Sequence, residues 1–249
     1  MSFNKIIETQ KDPFAKEPAE KDKAYVLEQI EKYEWRQSIE VLNGVSTKGK
    51  LDNREFTLKQ FNLIDFKDKS VLDVSCADGF YLLQAEKRGA KTVIGIDKKK
   101  SKAASEFLLP FLNSKIKMEE VGFFDYKPKN KFDIIIFTGI LCHVKHPLLA
   151  LEVVSDWLKK GGYLITESAM YSDDNKKALL YCPSPEENPY KDPKAKKQAT
   201  HQNTFFNHKG LIDNLEKHNL KLINIYPDNR GGISRKNICR DSFLFNKIK

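Results

Sequence analysis

A chain of 249 residues with 40% apolar and 31% charged side chains carries material for one large domain under a well-solvated surface. Its 43 Lys and Arg against 34 Asp and Glu leave a net charge of +9, which excludes a strongly acidic chain. The excess is scattered Lys, so charge alone defines no polyanion-binding face. No apolar run reaches the roughly 18 residues needed to cross a bilayer, and the start MSFNKIIETQKDPF lacks the apolar stretch of a signal peptide. Cys76, Cys142, Cys182 and Cys239 show neither C-x-x-C spacing nor a zinc signature. The expectation is a reduced, cytoplasmic protein with no membrane partner and no metal.

Residues 1–23 are polar and expected to fray. Val26, Leu27, Ile30 and Tyr33 recur at helical spacing and predict an amphipathic helix from Lys23 to Trp35. A turn at Asn43-Gly44 and a second helix from Asn53 to Asn62 complete an N-terminal helical extension or lid over residues 1–62. From residue 63 onward short apolar runs alternate with amphipathic helices. The predicted strands are Val71–Val74, Thr92–Ile96, Ile116–Val121, Phe132–Phe137 and Tyr163–Thr166. The predicted helices are Phe80–Arg88, Lys100–Asn113 and Pro147–Lys159, the last stopped by Lys159-Lys160-Gly161-Gly162. Residues 171–203 form a long surface excursion, either a lid or a loop. A helix over Asn207–Asn219, a strand over Leu220–Tyr226, a glycine-bearing loop and a strand over Ser242–Lys247 close the chain. Strands buried on both faces and linked by helices require parallel pairing, so the expected fold is α/β, a Rossmann-like doubly wound sheet of seven strands.

The first strand runs into Val71-Leu72-Asp73-Val74-Ser75-Cys76-Ala77-Asp78-Gly79. Such a strand-to-helix turn brings backbone N–H groups to the carboxyl edge of the sheet, where open α/β folds bind ligands. Only Gly79 survives of a G-x-G-x-x-G pattern, which argues against a dinucleotide. Asp73 within the loop argues against a phosphate and for a cationic or amino-bearing ligand. Asp97 closes the second strand, 24 residues after Asp73, where a carboxylate can accept ribose hydroxyls.

Asp73-x-x-Cys76-x-x-Gly79 resembles the cofactor loop of class I S-adenosylmethionine (AdoMet) methyltransferases, usually D-x-G-x-G-x-G, with Ser75 and Ala77 in place of two glycines. The resemblance implies a pocket for AdoMet, and for its product S-adenosylhomocysteine, built from Asp73, Ser75, Cys76, Gly79, Asp97, Lys98, Phe124, Asp125 and Thr138. In it Asp97 takes the ribose, Asp125 the adenine amino group and Phe124 the ring. Cys76 reads as a small packing residue and not a nucleophile. His143, in Gly139-Ile140-Leu141-Cys142-His143 after the fourth strand, is the first candidate for general base, with His201 and Glu40 behind it.

From Trp35 to the C-terminus the chain resembles bacterial wobble-uridine tRNA (carboxy)methyltransferases and their small-molecule relatives, through Trp35-Arg36, Asp78-Gly79-Phe80-Tyr81, the His143 loop, Glu167-Ser168, Asn203 to Phe206 and Arg240. In that branch a Lys after Trp-Arg, a Tyr before the loop histidine and a late Arg hold the carboxylate of a carboxylated AdoMet. Gln37, Cys142 and Arg240 stand there, so two of the three donors are absent and unmodified AdoMet is expected. Trp35, Gln37, His201 and Arg240 are the candidate substrate contacts. The expected activity is methylation of a hydroxyl on a polar small molecule, such as a sugar or nucleotide-sugar. The alternatives are tRNA modification and a non-catalytic AdoMet-fold subunit.

Overall fold

The computed structural model describes residues 20–49, 54–172, 177–183, 203–227 and 237–249. The polar N-terminus, the lysine cluster of the excursion, His201 and the glycine-bearing loop after residue 227 lie outside them.

Helix α1 (Glu20–Lys32) precedes a small hairpin of β1 (Glu40–Leu42) and β2 (Val45–Ser46), and α2 (Arg54–Phe61) leads into the main sheet. That sheet contains β3 (Ser70–Val74), β4 (Thr92–Asp97), β5 (Lys117–Glu120), β6 (Phe132–Thr138), β7 (Leu158–Tyr171), β10 (Leu220–Pro227) and β11 (Ile238–Lys247). Helices α3 (Phe80–Lys87), α4 (Leu109–Phe111), α5 (Pro147–Asp156) and α6 (His208–Lys217) connect its strands, and β8 (Leu180–Tyr181) pairs with β9 (Phe205–Phe206) beside it.

The seven strands lie in the order β10-β11-β7-β6-β3-β4-β5. Pairings β7-β6-β3-β4-β5 are parallel, and β11 runs antiparallel to both of its neighbours. The sequence pattern explains why both faces are covered. On β6, Ile134 and Ile136 join one core with Leu82, Phe107 and Val26, while Ile135 and Phe137 join the other with Leu151, Leu211 and Phe243. Alternate side chains leave opposite faces of a strand, so a continuous apolar run needs helices on both sides. Helix α1 packs through Val26 and Ile30 into the first of these cores.

Beyond a β1–β2 hairpin within the expected helical extension and a last strand that starts at Ile238 rather than Ser242, two elements depart from expectation. Helix α5 ends at Asp156, and Lys159-Lys160-Gly161-Gly162 belong to the fourteen-residue β7. Their pairing explains it: Phe132 faces Leu158 and Ile134 faces Tyr163, so the cations and glycines form a bulge, with Gly161 at φ 76°. The helix expected over Lys100–Asn113 is shorter, and Ala103–Leu108 is wound as a π-type turn. Pro110 has no N–H to donate to the Glu106 carbonyl, so ordinary α winding cannot continue through it.

The amino edge of the sheet is tied by Asp133. Its carboxylate accepts from the Ser70 N–H at 2.8 Å, the Ser70 hydroxyl at 2.6 Å and Lys159 Nζ at 2.8 Å. Burial alone would push this carboxyl up, but those donors hold it down at about 2. A depressed folded pKa gives stability that is full above the unfolded value and lost as pH falls through the folded one. Asp133→Asn is therefore expected to cost about 1 kcal/mol at pH 7, with part of the interaction screened at the exposed lysine. Urea melts should show the gap from wild type closing as pH falls from about 4 to 2.

Candidate functional site: the carboxyl edge of the sheet

After β3 the backbone enters the left-handed region at every second residue: Ser75 at φ 64°, Ala77 at 50° and Gly79 at 85°. This is the alternation that three glycines would adopt freely. At Ser75 and Ala77 an L side chain makes it cost about 1–2 kcal/mol each. Hydrogen bonds hold the turn against that strain. Ser75 and Cys76 N–H donate to the Ile96 carbonyl at 2.7 and 3.2 Å, and Ala77 N–H donates to Asp97 Oδ2 at 3.1 Å. Cys76 is buried, and burial followed by the Asp73 charge raises its thiol pKa, which makes it inert as a nucleophile.

A second support was not legible as such in the sequence. Asp78 Oδ2 accepts from the backbone N–H of Arg36 at 2.6 Å and of Gln37 at 2.8 Å, and Oδ1 accepts from the Ser101 hydroxyl at 2.7 Å. In return Gln37 Oε1 accepts from the N–H groups of Asp78 and Phe80, both at 3.1 Å. Gln37 thus caps the start of α3 and ties the N-terminal segment to the loop. Trp35 is half-buried, donates its indole N–H to the Ile30 carbonyl at 3.0 Å and meets Phe107 edge-on.

The acidic groups differ sharply in environment. Asp73 is 1% exposed, and among the described residues neither carboxylate oxygen has a hydrogen-bond partner. Burial, then the nearby Asp97 charge, pushes its pKa well above the usual carboxylate range. An orphaned buried carboxylate under the loop suits a cationic ligand group. Asp97 ends β4, with Oδ2 taking Ala77 N–H and the Arg36 guanidinium at 3.5 Å, and Oδ1 taking only Lys99 N–H at 3.3 Å. Each carboxylate oxygen can accept two bonds, so Asp97 retains capacity for a hydroxyl. A cleft of about 330 Å³ opens here, lined by Tyr33, Arg36, Ala77, Asp78, Lys99 and Ser101 among others. Lys98 is exposed just beyond Asp97. In the turn after β5, Phe124 is half-buried against Phe123 and Asp125 is exposed; Thr138 is half-buried at the end of β6. These residues follow adjacent parallel strands and share one rim of the sheet.

On the β6 and β7 side, Gly139 has φ 68°, and a Cβ there would lie 3.9 Å from both Arg240 Nη2 and Glu167 Oε2. Arg240 Nε forms an ion pair with Glu167 Oε1, and both side chains are largely buried. His143 sits on the 3-10 turn Leu141–His143, its Nδ1 2.8 Å from Oδ1 of buried Asn203. Asn203 is a partner that sequence reasoning missed, since its stretch was noted only as part of a wider likeness. Hydrogen bonding to the Cys142 thiol, aided by Asn203, holds the His143 pKa above its ordinary value. Glu40 accepts from the Gly44 N–H at 2.7 Å in the β1–β2 hairpin.

A seven-stranded sheet with one reversed strand, an acidic loop after β3 and an acidic end to β4 define the class I AdoMet-dependent methyltransferase fold. A family model described as a methyltransferase domain matches residues 48–225, and the chain belongs to that family. The tRNA U34 carboxymethyltransferase of Helicobacter pylori (strain Shi470) is 36% identical over 127 residues, 49% of this chain and 48% of that protein. The enzyme of the same name from Actinobacillus succinogenes is 31% identical over 122 residues, 48% of this chain and 38% of that protein. The chain thus spans about half the length, or less, of the curated relatives it matches. Among solved structures, the N-terminal domain of EvdMO1 with S-adenosylhomocysteine bound aligns at TM-score 0.65 and 11% identity, over 91% of this chain and 97% of that one. A Burkholderia thailandensis 1,6-didemethyltoxoflavin-N1-methyltransferase aligns at 0.58 and 12%, over 79% and 80%. Among the described residues, no helix is long and apolar enough to cross a membrane.

Proposed function

We propose that this protein transfers the methyl group of unmodified AdoMet to a hydroxyl of a polar small molecule, such as a sugar or nucleotide-sugar. The observation that carries the donor assignment is the unpartnered, buried Asp73 carboxylate beneath the loop, beside an Asp97 with spare acceptor capacity. Asp73 would hold the amino-acid end of the donor, Asp97 its ribose, and Phe124 with Asp125 its adenine. Arg240 supports the unmodified donor, because Glu167 already neutralises it. A carboxylated donor would place a second carboxylate there with Gln37 and Cys142 in place of the branch's Lys and Tyr.

Bound AdoMet supplies a sulfonium methyl open to in-line displacement. The part left to this chain would be to hold the acceptor oxygen in line behind that methyl and to take up the hydroxyl proton. With its Nδ1–H donated to Asn203, His143 has Nε2 as the ring atom that could take the hydroxyl proton, in competition with its contact to the Cys142 thiol. Because its pKa is raised, the acid limb of kcat/KM is expected above the ordinary histidine value of about 6.5. His143→Ala should lower kcat by about 100-fold or more while leaving AdoMet affinity near wild type. A wild-type rate in that variant would place the base elsewhere.

A second reading, tRNA modification, is favoured by the 127-residue likeness to the carboxymethyltransferase. Incubation with labelled AdoMet and separated metabolite and tRNA fractions distinguishes the two. Label is expected in the metabolite fraction. Label in tRNA, with binding that weakens steeply with salt, would establish the alternative.

A further inference from the structure

Cys239 and Asp241 flank Arg240 on β11. Strand alternation sends them to the face opposite Arg240, the face on which Phe243 and Phe245 share a core with Leu211 and Leu215 of α6. His208, the first residue of α6, brings Nε2 to 2.5 Å from Asp241 Oδ2, and the Cys239 thiol lies 3.3 Å from the same oxygen. The three donor atoms all fall within 4.8 Å of one another. Asp241 is buried, Cys239 half-buried and His208 exposed, so the cluster has a closed floor and an open mouth.

We propose that His208, Cys239 and Asp241 form a three-ligand site for a divalent transition-metal ion, best suited to Zn²⁺. The donor set selects the class: imidazole, thiol and carboxylate suit zinc and its neighbours, whereas calcium and magnesium require oxygen donors. Bond lengths of about 2.0–2.3 Å place ligand atoms of one tetrahedral ion roughly 3.3–3.7 Å apart. The sulfur–oxygen separation already fits, and the nitrogen–oxygen pair needs to open by about 1 Å, which the exposed His208 ring can supply by a small rotation. Without metal, Asp241 Oδ2 accepts both the imidazole N–H and the thiol S–H. On binding, the ring proton resides on Nδ1, the thiol proton leaves to solvent as the sulfur becomes thiolate, and water fills the fourth position. No sequence spacing announces the set, because its members meet only when the start of α6 reaches β11.

The ion would clip the start of α6 to the last strand. The residues just before His208 run back through β9 to Asn203, the partner of His143, so the clip would also brace the turn that orients that histidine.

The test is titration of the tag-free full chain with Co²⁺ under reducing conditions, followed by displacement with Zn²⁺. One equivalent should bind at micromolar concentration with a near-ultraviolet thiolate-to-cobalt band. Cys239→Ser should abolish that band, His208→Gln and Asp241→Asn should each weaken binding at least tenfold, and Cys182→Ser should change nothing. His208→Gln alters an exposed side chain, so it keeps the test valid where another variant fails to fold. No binding in the micromolar range, or a band that survives Cys239→Ser or depends on Cys182, would overturn the proposal.

Discussion

Asp73→Asn is expected to raise the melting temperature of the ligand-free protein while removing most of its stabilisation by AdoMet. The carboxyl is 1% exposed and finds no hydrogen-bond donor among the described residues. A charge in that position carries the full cost of leaving water, and the nearby Asp97 carboxylate adds repulsion. A raised folded pKa means no cost below the unfolded value near 3.9, and a cost that grows as pH rises toward the folded value. The amide keeps the shape and drops the charge, so about 1.5 kcal/mol of relief at pH 7 is reasonable, or about 3–6 °C for a chain of this size. The same change removes the counter-charge for the donor's ammonium. Scanning calorimetry with and without AdoMet reads both effects. A lower melting temperature with a full ligand response would show that Asp73 is structural.

Asp97→Ala is expected to weaken AdoMet binding by more than tenfold, about 1.4 kcal/mol. Two losses combine. The ribose loses its acceptor, and Ala77 N–H loses the oxygen that helps to hold the strained turn at φ 50°. Asp97→Asn separates them, since its amide oxygen still accepts the Ala77 N–H and only the charge is gone. It should retain loop stability and lose part of the affinity. Unchanged calorimetric affinity in Asp97→Ala would mean that the ribose lies elsewhere.

The parts of this fold that were legible in the sequence are those set by local chemistry. Apolar runs such as Ile134–Phe137, alternating with helical segments, read as strands buried on both faces, and an aspartate at each of two strand ends marks the carboxyl rim. Ser75 and Ala77 are informative in the structure because they retain the backbone turn of the missing glycines. The remainder depends on contacts distant in sequence. Lys159 to Gly162 reads as a helix stop until β6 and β11 draw it into β7. The capping of α3 by the Gln37 side-chain oxygen is hidden until the fold brings them together, and so is the pairing of Asn203 with His143. The three groups at α6 and β11 are likewise invisible without the packing.

Calorimetric titration of the full-length wild-type chain with AdoMet tests the pocket most directly. One site per chain, saturating in the micromolar range and weakened at least tenfold by Asp97→Ala, is the expected result. A cooperatively folded protein that gives no saturable binding to AdoMet or S-adenosylhomocysteine would contradict it.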